Sequence, residues 1–249
     1  MYLKRIKGLN KMLPIYKREL RTYFYSPLAY VLSGIFILVF SVNFLAQTIS
    51  KSGISRFAFG GQLYFASFFL VMLIPILTMR TFAEERKSGT EVLLLTSPVS
   101  ISQIVIGKYL AALTVFLTMT VASFIFPVII IMKGHLYLSV ALSSYIGFIL
   151  LGAAFVAFGM FTSSITKSQI IAAVLGTISL FLLLLMDQMK SFTSGFILKI
   201  VNALSLYEHY KEFVQGMVSL RDVIFFLSIT GMFLGLVIFV IEKRRWSQG

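Results

Sequence analysis

Residues 82–100 read FAEERKSGTEVLLLTSPVS, between the apolar runs LYFASFFLVMLIPILTM (63–79) and YLAALTVFLTMTVASFIFPVIIIM (109–132). Three of the chain's nine acidic residues, Glu84, Glu85 and Glu91, fall in this interval. The flanking runs approach or exceed the roughly 20 apolar residues that cross a bilayer core. A charged interval between two such runs belongs on an aqueous side. Its position therefore decides the fold: a polytopic membrane protein, with a polar connection followed at once by Val92, Leu93, Leu94 and Leu95.

The composition agrees. The 249 residues are 58% hydrophobic and 12% charged, against about 25% charged in an ordinary soluble domain. Six spans are expected, at 28–48, 61–80, 104–132, 138–162, 169–187 and 223–241, in an all-α fold. With the N-terminus inside, the cytoplasmic segments hold 15 of the 22 basic residues and the outer segments seven. That asymmetry follows the positive-inside rule and places both termini in the cytoplasm. Most of the net charge of +13 is thus topology, and no nucleic-acid partner is implied. A cleavable signal peptide fits poorly, because the first apolar run starts near residue 28 without a small-x-small site after it. The organisation is a cytoplasmic N-terminal segment (1–27), a transmembrane domain (28–241) and a cytoplasmic tail (242–249). The loop 82–100 and an outer helical segment, 188–222, interrupt the domain.

The first segment carries its own pattern. Pro14 suits the first turn of a helix, and Tyr16, Leu20, Tyr23 and Phe24 then recur at i, i+4, i+7 and i+8. Lys17, Arg18 and Arg21 take the opposite side. A basic face backed by aromatic and aliphatic residues reads as a helix in the membrane interface, on membrane lipids; a solvated basic leader is the alternative. Pro75 and Pro127 are expected to kink the second and third spans. Gly231 and Gly235 form a GxxxG in the last span and Ala172 and Gly176 a looser small-xxx-small in the fifth, spacing that serves packing within the chain or between chains.

Several activities lack their residues. There is no cysteine, so no disulfide or thiol chemistry is available, and the two histidines, His135 and His209, are too far apart in sequence to suggest a metal site. No acidic, basic or histidine residue falls near the middle of a span, where a charge costs at least about 2.5–3.5 kcal/mol and usually marks ion coupling. HExxH, GxSxG and GxxxxGK[ST] are missing as well. The chain is not expected to be an enzyme, and no cofactor is expected in it.

Within 82–100, Ser88-Gly-Thr-Glu91 matches a capping box, and Ser100-Ile-Ser-Gln103 matches a second at the head of the third span. Pro98 separates them. The expectation is a short helix, about Gly89 to Thr96. Leu95, Val92 and Leu93 share one face, and Thr90, Glu91 and Leu94 the other. An apolar Leu94 on a cytoplasmic face has a reason if that face docks on a soluble partner. An ordinary interfacial loop with a solvated charge cluster accounts for the spacing equally.

The run MRTFAEERKSGTEVLLLTSPVSISQIVIGKYLAA (79–112) closely resembles the cytoplasmic loop of ABC-2-type exporter permeases, above all the gliding-motility-associated branch. Glu84, Glu85, Arg86, Gly89, Thr90, Glu91, Leu93, Leu94, Pro98, Ser100, Gly107 and Lys108 match its pattern. YKRELRTYFYSPLAYV (16–31) is similar to the family's interfacial helix, and LSLYEHYKEFVQGMVSLRDVIFF (204–226) to its approach to the last span.

The resemblance implies a six-span permease in a bacterial cytoplasmic (inner) membrane. It would form its path as a dimer with a second copy or a related permease, above separate ABC ATPase subunits that hold ATP-Mg. Ser88–Ser97 would be the coupling helix, and Glu84, Glu85, Arg86, Gly89, Thr90, Glu91 and Leu94 the ATPase contact. A gradient-driven carrier or channel, and a non-transporting scaffold of a motility or secretion assembly, are the rival readings.

Overall fold

A computed structural model describes residues 2–50, 59–91, 99–133, 136–188 and 205–247, with side chains over 12–48, 59–91, 99–133, 136–185 and 205–245. Among the described residues every regular element is an α-helix. Five stretches there are long and apolar enough to cross a membrane: Pro27–Thr48, Phe59–Ser88, Ile101–Lys133, Leu138–Ile165 and Leu220–Arg245. The expected fifth span coincides with α8 (Gln169–Gln188), whose apolar stretch Gln169–Leu185 is shorter than these.

The N-terminal helix α1 runs Tyr2–Tyr25 and α2 runs Pro27–Ser50. Pro14 therefore lies inside α1 and does not open it, which corrects the expected start. Proline lacks one amide donor and clashes with the carbonyl four residues back; here the helix accommodates that single fault. The amphipathic pattern is as expected. Tyr23 is buried, Tyr16, Leu20 and Phe24 are half-buried, and Lys17, Arg18 and Arg21 are exposed. The apolar side packs mainly on α5 (Ile101–Ala122), where the Tyr16 hydroxyl lies 3.1 Å from Thr114 Oγ1.

Helix α3 (Phe59–Thr78) passes through Pro75 and breaks at Met79, and a second helix, α4 (Arg80–Ser88), carries the charged residues onward. This corrects the reading of Ser88 as the start of a short helix. Ser88 ends α4, Gly89 is its left-handed cap at φ 74°, and the Ser88 hydroxyl reaches back to the carbonyls of Glu84 and Glu85 at 2.9 and 3.2 Å. Glycine takes that conformation without steric penalty. Leu94 and the rest of 92–98 lie outside the described residues. The second box is as expected: Ser100 Oγ accepts from the Gln103 amide and the Gln103 side chain accepts from the Ser100 amide.

The expected third span is two helices, α5 and α6 (Ile125–Lys133). The break at Ser123–Phe124 has a local cause, since Pro127 has no amide for the Ser123 carbonyl and its ring crowds that oxygen.

Helix α7 (Leu138–Ile165) is the axis of the bundle and packs against α3, α8 and the last helix, α10 (Leu220–Ser247). Glycines set the spacing. A Cβ on Gly159 would stand 2.1 Å from Thr78 Oγ1, and one on Gly152 would stand 2.2 Å from the Phe116 ring. The looser small pair in α8 also packs inward, with Ala172 buried and Gly176 against Pro75 and Thr162.

Gly231 and Gly235 do not pack on the described residues: none of them lies within 4 Å of a Cβ placed on either. The inward face of α10 is Phe226, Thr230, Val237 and Ile241. Both glycines fall on the opposite side, among the exposed Leu227, Met232, Leu236 and Phe239.

Within the expected outer segment, α9 (Leu206–Val214) is wedged at the other end of the bundle from α4. Ser205 caps it, accepting from the Glu208 amide, and Tyr207, Tyr210 and Phe213 are buried. Two notches admit it. A Cβ on Gly60 would sit 2.3 Å from the Val214 carbonyl oxygen, and one on Gly147 would sit 2.5 Å from Phe213 Cβ.

Candidate functional site

The site grows from Gly107 and Lys108, near the start of α5. A Cβ on Gly107 would be 3.2 Å from Ile15 Cγ2 and 3.5 Å from the Met12 carbonyl oxygen, so its absence lets α1 lie close. Four residues beyond Ile15, on the same face of α1, Glu19 reaches the neighbouring Lys108. Its Oε1 accepts from the Lys108 ammonium at 3.2 Å.

Helix α4 supplies the rest. Thr81 and Glu85, one turn apart, present a carbonyl and a carboxylate to the same ammonium, each at 2.8 Å. The Phe82 ring centroid lies 5.2 Å from Lys108 Nζ. Lys108 is 1% exposed, and an ammonium has three donors. All three are answered here, which is what makes so deep a charge tolerable. Arg18 closes the network from the solvent side, 2.7 Å from Glu19 Oε1 and 3.1 Å from Glu85 Oε1. Burial pushes the Glu19 carboxyl up, but Lys108 and Arg18 outweigh it and hold the group below its ordinary range. Helix α1 is thereby tied at one point to α4 and α5, which are distant from it in sequence.

The start of α4 is capped from elsewhere. Met79 offers no side-chain cap, but Ser163 of α7 accepts from the Phe82 and Ala83 amides, both at 3.1 Å, and donates to the Met79 carbonyl at 2.9 Å. The far end is stapled too. Glu91 faces Arg86 Nε at 3.5 Å and Arg244 of α10 at 3.1 Å, and Arg244 also donates to the Ser164 carbonyl. A pocket of about 550 Å³ opens beside the network, walled by Ile15, Thr22, Glu84, Thr90 and Val99. The last two flank residues 92–98.

This geometry sorts the expected contact residues. Glu85 and Glu91 are engaged within the chain, and Arg86 pairs with Glu91. Glu84 is half-buried beside Arg80, at 3.3 Å. Gly89 and Thr90 face outward with Lys87 and Ser88.

A family model described as "ABC-2 family transporter protein" matches residues 13–242. The chain belongs to the ABC-2 transporter family. As an ABC-2 permease it is a multi-pass membrane subunit of a generally non-catalytic kind. No curated protein matches it.

Sequence reasoning missed the partners of Lys108 in this ABC-2 permease, and with them Glu19, Ser163 and Arg244. Glu19 left a signal, being the one acid in the first 27 residues beside seven cations. Ser163 left none, because a buried serine in a span has no distinguishing neighbour in sequence.

Proposed function

We propose that the chain is the permease subunit of an ABC-2-type exporter, of the gliding-motility-associated branch, driven by separate ATPase subunits that hold ATP-Mg. It spans a bacterial inner membrane six times, with α8 as the fifth span and both termini cytoplasmic. It pairs with a second copy or a related permease to form the path. Helix α1 lies at the membrane interface with Lys17 and Arg21 toward lipid headgroups.

The observation that carries this reading is the network of Lys108, Glu19 and Glu85. It joins the loop-bearing helix α4 to the interfacial helix α1 and the third span, α5. A push on the loop then moves α1, α4 and α5 together, because separating them would leave buried charge unpaired. In this reading Glu84, Gly89, Thr90 and the following Leu94 meet the ATPase, while Glu85, Arg86 and Glu91 hold the loop to its own membrane domain.

The absence of cysteine gives a direct test at the exposed Thr90. Thr90→Cys, crosslinked in native membranes, is expected to trap a polypeptide carrying a phosphate-binding loop. A thiol freely labelled from the cytoplasmic side, with no ATPase captured, would overturn the assignment in favour of a carrier or scaffold.

A further inference from the structure

At the end of the bundle opposite Lys108, His209 of α9 and Asp222 of α10 are 7% and 2% exposed. Their Nδ1 and Oδ1 atoms are 2.5 Å apart. The imidazole also lies on the Phe225 ring, with centroids 3.8 Å apart and planes at 28°. Among the described residues, two polar atoms beside this contact are buried without a hydrogen-bond partner: His209 Nε2 and Asp222 Oδ2.

The two orphans indicate which nitrogen carries hydrogen. A buried N–H without an acceptor is rarer than a bare acceptor, so the neutral ring keeps its proton on Nδ1, toward Asp222, and leaves a lone pair on Nε2. A carboxylate on one ring nitrogen fixes the tautomer and the ring's orientation. Asp222 sits in the first turn of α10, where the helix dipole favours its negative charge.

We propose that His209 and Asp222 form a proton-binding latch, in which proton uptake on Nε2 clamps α9 onto the first turn of α10. The step consumes one proton from the adjoining aqueous phase and yields an imidazolium, with no other reactant. Two contacts strengthen at once. The neutral hydrogen bond becomes a charge-assisted one in a buried setting, and the ring on Phe225 becomes a cation over an aromatic face. Against them stands the cost of burying the new Nε2–H.

Other charged groups stand near this pair. From α10, Arg221 is the other charged group in reach, and from α9 itself Glu212, with Glu208 and Lys211 farther round the helix. Helix α3 contributes the Tyr64 phenol against Tyr207 and Tyr210, and α7 contributes the hydroxyls of Ser143 and Ser144 on the Phe213 carbonyl. Helix α8 carries one charged residue, Asp187, in its last turn. Arg221 and Glu212 are exposed and their charges partly screened, but Glu212 lies against Asp222, whose hydrogen bond and charge push its carboxyl up.

The test uses the full chain in lipid nanodiscs and follows amide hydrogen exchange of Leu206–Val214, corrected for the intrinsic rate. Protection is expected to rise about tenfold from about pH 8 to about pH 5.5, the range in which imidazole titrates. His209→Gln should abolish the rise. His135→Gln, which removes the chain's other histidine, should leave it intact. Should His209→Gln fail to fold, Asp222→Asn keeps the imidazole, removes its counter-charge and is expected to flatten the profile. Equal protection at both pH values in the unmodified chain would overturn the proposal. So would a rise that survives His209→Gln or disappears in His135→Gln.

Discussion

Lys108 Nζ stands 2.8 Å from Glu85 Oε1, across 23 positions of sequence, and the lysine is almost wholly removed from solvent. The pair joins α5 to α4, and Glu19 brings in α1. Removing one partner of a buried pair strands the other, which costs far more than the pair contributes over an apolar substitute.

Lys108→Met is therefore expected to destabilise the folded chain by about 3–5 kcal/mol, read as a loss of thermal stability in detergent. Adding Glu19→Gln and Glu85→Gln should restore part of it, because no buried carboxylate then lacks a counter-charge. A triple variant no more stable than Lys108→Met would remove the ion network as the cause.

Acid should loosen the Glu19 side of this junction, whereas Glu85, pushed up by burial, works in the opposite direction at higher pH. Glu19 is held below its ordinary value of 4.5, so it stabilises the fold above that value, and the contribution is lost as pH falls through the lower folded value. Proteolysis of α1 is expected to accelerate below about pH 4.5 in the unmodified chain. In Glu19→Gln this acid-dependent component should be absent, which a pH series on both proteins checks.

Ser163→Ala removes one hydroxyl that answers two amides and a carbonyl at the α3–α4 break. Losses of a helix cap run at about 0.5–2 kcal/mol, and the upper end is expected here because the site is buried. Faster amide exchange confined to Arg80–Ser88 would locate the effect, whereas uniform exchange along the chain would contradict it.

The glycines divide by what faces them. Gly147→Ala and Gly60→Ala place a methyl against Phe213 and the Val214 carbonyl and should displace α9, lowering thermal stability. Gly235→Ala meets nothing among the described residues and should leave the isolated subunit unchanged, or stabilise it by up to about 1 kcal/mol through helix propensity. If the α10 stripe receives a second copy, the same change weakens the dimer alone, which size-exclusion measurement in detergent separates from folding.

Much of this protein was legible residue by residue. Runs of apolar side chains announce membrane spans because hydrocarbon tolerates no unpaired backbone and little charge, and α2, α3, α7 and α10 fall where those runs lie. The amphipathic face of α1 and the Ser100–Gln103 box were readable for a related reason: both depend on residues a few positions apart, at spacings a helix enforces. The motif around Gly107 and Lys108 was visible as a pattern, without its purpose. Only the tertiary structure decided that Gly107 is a notch for Ile15, that Lys108 is held by Glu19 and Glu85, and that Ser163 caps a helix some 80 positions away. It also decided that Ser88 closes a helix and that Gly231 and Gly235 face outward. Periodicity tells that a helix has an inside; which neighbour fills it depends on how close the backbones come and where the buried charges meet, and those are properties of several helices together.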